Sequence, residues 1–82
     1  MTYTEKQKQK LLWFNWNRLS LLTGKPFKTP EQETEISLRC SMHNYYSNSD
    51  EGSQDETAAL NMMKKSLTPL IKKSVERYMA KN

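Results

Sequence analysis

Two residues able to act as nucleophile, base or metal ligand stand three apart in Cys40-x-x-His43, and the chain has no other cysteine or histidine. On a helix that spacing places both on one side, which is the minimum for a thiolate with a base, or for two metal ligands. A structural zinc site needs three or four ligands, and no second pair exists to supply them. The bland alternative, a small cysteine beside a satisfied histidine, is the expectation.

Other candidate chemistry fails on spacing. Placing Gly52 at the sixth position of a calcium-binding loop puts Ser47 first and Ala58 twelfth, where such a loop wants Asp and Glu. Thr23-Gly24-Lys25 lacks the upstream glycine and the following Ser or Thr of a phosphate loop, and reads as a helix stop. Glu31, Glu33 and Glu35 are two apart, so on a helix they fan out instead of pairing for acid–base work. They suit the first turn of a helix, where carboxylates meet the positive end of the dipole. Neither an enzyme nor a cofactor or metal site is expected.

Charge is the strongest pattern. Residues 1–28 carry Lys6, Lys8, Lys10, Arg18, Lys25 and Lys28 against Glu5. Residues 29–56 carry Glu31, Glu33, Glu35, Asp50, Glu51, Asp55 and Glu56 against Arg39. Residues 57–82 carry Lys64, Lys65, Lys72, Lys73, Arg77 and Lys81 against Glu76, and the three blocks sum to +4. Helix-dipole matching accounts for much of this, with acids in first turns and bases near a C-terminal end. The basic ends also admit nucleic-acid binding, and Lys64, Lys65, Lys72 and Lys73 are its candidates. Arg18–Glu35 has the outline of a helix-turn-helix, but its second helix would open with three glutamates facing phosphate.

Elements that would carry these residues are marked by their own punctuation. A first helix, about 3–23, has Thr2 or Thr4 as cap with Glu5 or Gln7 in capping-box spacing. It stops at Gly24, which can adopt the left-handed conformation, with Pro26 beyond. A second, about 30–47, starts at Thr29-Pro30-Glu31-Gln32, where Thr29 caps, Pro30 takes the first position and Gln32 reaches back. Residues 48–53 form a loop, and Ser53-x-x-Glu56 opens a third helix over about 54–80. Its stripe of Leu60, Met63, Leu67, Leu70, Ile71, Val75 and Tyr78 keeps phase across Pro69. That leaves one kinked helix, or a split with a fresh start at Ser66 or Thr68. The expected fold is a single all-α domain, a small three-helix bundle.

The bundle has more apolar faces than it can easily bury. On the first helix Leu12, Trp16 and Leu19 form one stripe, flanked by Leu11 and Leu22, while Phe14 and Leu21 lie nearly opposite. On the second, Leu38, Met42 and Tyr45 mark one side, Ile36 and Cys40 another. A helix apolar on two sides is sandwiched in a core or shares one side with another chain. Trp13, Phe14, Arg18 and Leu21 are therefore the candidate protein-binding residues, for a protein partner or a second copy. The alternative puts Phe14 and Leu21 beneath the Pro26-Phe27 turn or the 48–54 loop. Trp13, Phe14 and Trp16 beside lysines also have the flavour of a membrane-surface helix, though their apolar neighbours surround the axis.

Size limits what the chain can do alone. Leu, Ile, Val and Phe number fourteen of 82 residues, counted as nine, two, one and two. A domain this small buries roughly 60–65% of its unfolded surface, so a partner could add stability. The apolar run Leu11–Phe14 breaks at Asn15, Asn17 and Arg18, too short for a spanning helix, and no small-residue cleavage site follows. With a lone cysteine, this predicts a soluble, cytoplasmic protein.

In length, single helical domain and richness in Lys, Asn, Ser, Gln and Met, the chain resembles the cytoplasmic antiholins of the T-even phage lysis-inhibition system. The resemblance implies a protein that binds the cytoplasmic part of a holin and delays lysis. It carries over no individual residue.

Overall fold

The computed structural model describes residues 3–81 and, within them, all side chains but those of Ser74, Val75, Tyr78 and Lys81. Three helices follow in order: α1 over Glu5–Thr23, α2 over Pro30–Ser47 and α3 over Gln54–Lys81. Each packs on the other two. The chain is an all-α three-helix protein.

Local sequence sets the ends. Thr4 caps α1, accepting from the Gln7 amide while the Gln7 side chain accepts from the Thr4 amide. Thr29 and Gln32 repeat this at α2, with Pro30 in the first turn. Each such cap is worth about 1 kcal/mol. Thr2, the other cap candidate, lies outside the described residues. At α3 the Ser53 hydroxyl accepts from the Glu56 amide at 3.1 Å, while the Glu56 carboxylate reaches the Gly52 amide instead of that of Ser53. Gly24 departs from expectation, since its backbone is right-handed (φ −76°, ψ −10°). A Cβ there would stand 3.3 Å from the Ser20 carbonyl oxygen, so the residue is small because the chain passes close. The left-handed glycine is Gly52, at φ 77°.

α3 runs unbroken through Pro69, so it is one helix and not two. Proline removes the amide that the Lys65 carbonyl would accept. Lys65 and Pro69 both face solvent, where water can take that place.

The core is Met42, Leu60, Met63 and Leu67, with Tyr3, Leu11, Leu12, Phe14, Tyr46 and Leu70 partly buried against it. The third-helix stripe holds through Leu70. Ile71 is already well exposed, and the side chains of Val75 and Tyr78 lie outside the described residues. On the other two helices the apolar reading holds for Leu11, Leu12, Leu22 and Met42 and otherwise differs from the inward line. α1 points Lys8, Asn15 and Leu22 inward, seven apart, and α2 points Arg39 and Met42 inward. Trp16, expected in the core, is 60% exposed, and Leu38, Tyr45 and Cys40 all face outward. With α1 in this orientation the Asn15 amide lies at the centre, where it meets Arg39.

That centre is a hydrogen-bonded polar layer. The Arg39 guanidinium, 2% exposed, donates to Asn15 Oδ1 at 3.1 Å, to Ser66 Oγ at 3.4 Å and to Glu35 Oε2 at 2.7 Å. Asn15 Nδ2 returns a bond to the Arg39 carbonyl at 3.4 Å. Arg18 closes the set with two bonds to Glu35, at 2.8 and 3.1 Å. Nearer the other end of the bundle, Lys8 Nζ lies 2.8 Å from Glu56, both side chains nearly buried. Among the described residues no buried side-chain polar atom lacks a partner.

Candidate protein-binding groove

The four candidate contact residues meet different fates. Phe14, Arg18 and Leu21 line one open groove between α1 and α3, with Asn17, Leu67, Leu70 and Ile71 completing its walls and a volume of about 430 Å³. Leu21 is 58% exposed at its edge. Phe14 is half-buried, packed on the core cluster, so it serves the groove floor and the fold together. Trp13 is 60% exposed and stands edge-on to Phe14, with ring centroids 5.1 Å apart. The turn does not cover Leu21 with an aromatic ring, since Phe27 is 90% exposed.

Arg18 is held by its own chain. The hydrogen bonds that it donates to Glu35 raise its pKa above the ordinary value, and burial only partly opposes this. The same bonds, with help from Arg39, hold the Glu35 carboxyl below the usual glutamate range. Arg18 therefore lines the groove tied to a carboxylate that it shares with Arg39, one negative charge against two positive ones.

The groove continues past Phe14 toward the start of α1. Tyr3, Gln7, Lys10, Leu11 and Phe14 face Lys64 and Ile71 across a second stretch of about 440 Å³. Phe14 and Ile71 line both stretches, which follow one another along the α1–α3 seam. Sequence reasoning missed this half. Its signal was present in the seven-residue step from Leu21 to Phe14, which extends to Gln7, a polar residue that breaks an apolar count. Of the candidate nucleic-acid residues, Lys64 joins this groove, and Lys65, Lys72 and Lys73 are exposed along α3 outside it.

Cys40 and His43 sit elsewhere, lining a groove between α1 and α2 with Trp16, Leu19 and Asn44. Cys40 is exposed, and His43 is tilted against Trp16 with centroids 6.0 Å apart. Among the described residues no three of His, Cys, Asp or Glu gather as a metal site. No helix of the described residues is long and apolar enough to cross a membrane. No protein family, curated protein or solved structure matches the chain.

Proposed function

We propose that this chain is a small non-catalytic regulator that acts by binding a protein partner in the α1–α3 groove. The observation that supports this is the convergence of Phe14, Leu21, Leu67, Leu70 and Ile71 on one open apolar channel. Binding energy at protein interfaces concentrates where aromatic and aliphatic anchors can be fully desolvated, and Trp13 and Phe14 are side chains of that kind. In its specific form the reading is an antiholin of the T-even type, which would hold the cytoplasmic part of a holin and delay lysis. The test is copurification of the tagged chain with the cytoplasmic segment of such a holin, beside the Leu21→Asp variant. Retention by the parent chain and loss in the variant is expected. Retention in both removes the groove from the reading, and loss in both removes the holin.

A second reading is nucleic-acid binding by Lys64, Lys65, Lys72 and Lys73. It is favoured by the exposure of all four on α3. Its mark would be affinity that falls steeply with salt and is indifferent to base sequence.

A further inference from the structure

The channel between α1 and α3 has a polarity along its length that an apolar pocket for a loop or small molecule would not need. Its walls are two helices, α1 and α3. On α1 the lining positions are Gln7, Lys10, Leu11, Phe14, Arg18 and Leu21 with Asn17 beside them, a helical stripe that Tyr3 extends from just before the cap. From Gln7 to Leu21 such a stripe rises about 21 Å, and with Tyr3 beyond it the wall suits a helix of about 15 to 18 residues. At the Leu21 end the walls are apolar but for Asn17 and Arg18, and Arg18 is tied to Glu35, which it shares with Arg39. At the Tyr3 end Lys10 and Lys64 stand on opposite walls, both exposed and without an ion pair among the described residues. No carboxylate lines either half.

We propose that the groove takes one amphipathic α-helix of a partner protein, with its apolar face inward and carboxylates on both flanks against Lys10 and Lys64. The inference rests on the protein-binding reading of the groove and adds the shape and charge of the occupant. A helix is the occupant that two helical walls accept, through anchors repeating at three and four residues. Acidic flanks follow from the unpaired lysines, since opposite charge across a rim steers encounter and like charge is penalised. A second copy of this chain fits less well. Its exposed acids Glu5, Glu31, Glu33, Asp50, Glu51 and Asp55 gather in first turns and the intervening loop, and Glu76 stands alone farther along α3, so no pair of acids flanks one apolar stripe.

The experiment uses the full chain, isotope-labelled, titrated with two synthetic helical peptides of about 18 residues. Both have the same leucine face; one has glutamate flanks and its twin has lysine flanks. The glutamate peptide is expected to bind about tenfold or more tightly than its twin, shifting resonances of Tyr3, Phe14 and Leu21. In the Lys10→Glu/Lys64→Glu variant, whose substitutions are at exposed positions, that preference is expected to reverse. Equal affinity for the two peptides, or a preference unchanged in the variant, overturns the inference. So does self-association in sedimentation that protects the groove residues, which would make a second copy the occupant. Failure of both peptides together with loss of the protein partner in Leu21→Asp sinks the acidic helix and leaves the groove standing. A partner retained by Leu21→Asp sinks the groove itself.

Discussion

The two sides of α1 are built on opposite principles. Toward α2 it presents Asn15 and Arg18, which meet Arg39 and Glu35 in a closed, fully hydrogen-bonded layer. Toward α3 it presents Phe14, Leu21 and Leu11, which leave an open apolar channel. In most small domains the apolar side is closed and the polar side is wet. Here the polar side has one geometric solution, because a guanidinium with three partners tolerates no shift in helix register. That fixes α1 against α2 and leaves the apolar side available without loss of a unique fold. Buried polar groups that specify register at some cost in stability are known from helical assemblies, and this layer fits that use.

The largest effect should come from opening the closed side. Arg39→Ala strands Asn15 and empties the space of a fully packed side chain, though Glu35 keeps Arg18, and the lost packing and the unpaired amide together cost about 3–5 kcal/mol. A domain of this size has only about 5–10 kcal/mol to lose, so urea denaturation should find the variant largely unfolded or close to it. Asn15→Leu combined with Arg39→Met removes both partners together. It should recover most of the loss, to within about 1 kcal/mol of the parent chain, because Glu35 keeps Arg18 and Ser66 still donates to the Met63 carbonyl. If the double variant is as weak as Arg39→Ala, the layer stabilises the fold outright instead of fixing its register.

Acid should act on the same side. The Glu35 carboxyl, held by Arg18 and Arg39, and the Glu56 carboxyl, held by Lys8, both have folded pKa values below the ordinary 4.5. A depressed carboxylate contributes its full stability above the unfolded value and loses it as pH falls through the folded one. The urea midpoint should therefore be flat on this account from neutrality to about pH 5 and fall below about pH 4.5. Glu35→Gln should flatten part of that fall. A midpoint that is insensitive to acid would contradict both pairings.

These two regions also differ in how far the sequence discloses them. Helix ends were legible because capping is local: Thr4 with Gln7, Thr29 with Pro30 and Gln32, and Ser53 with Glu56 all lie within four residues. The α3 core stripe was legible because Leu60, Met63 and Leu67 are apolar as well as buried. The rotation of α1 and α2 was not, since Lys8, Asn15, Arg39 and Glu56 occupy inward positions that any apolar count assigns to solvent. Glu35 looked like a first-turn acid, and only the approach of Arg18 and Arg39 from two helices makes it the hinge of the layer. The groove was half legible, as Phe14 and Leu21 off the main stripe. Its other half depends on which face of α3 arrives beside Gln7 and Lys10.

Phe14 gives a middle-sized test. Its ring packs on the core cluster and is only partly available to a partner. Phe14→Ala should cost about 2 kcal/mol, below the 3–5 of a fully buried phenylalanine. Binding and stability would then fall together, and the variant cannot separate them. A stability change under about 0.5 kcal/mol would instead place the ring outside the core.

Leu21→Asp should have the smallest effect on the fold and is for that reason the sharpest probe. Leu21 is 58% exposed, and exposed substitutions usually change stability by no more than about 0.5 kcal/mol. Its position on the edge of the apolar channel puts a new charge where a partner must exclude water. Unchanged circular dichroism and urea midpoint, with partner affinity down by about tenfold or more, would assign the open side of α1 to recognition and the closed side to folding. A large loss of helicity would mean that the two sides of α1 are not separable, because Leu21 would then be part of what holds the bundle together.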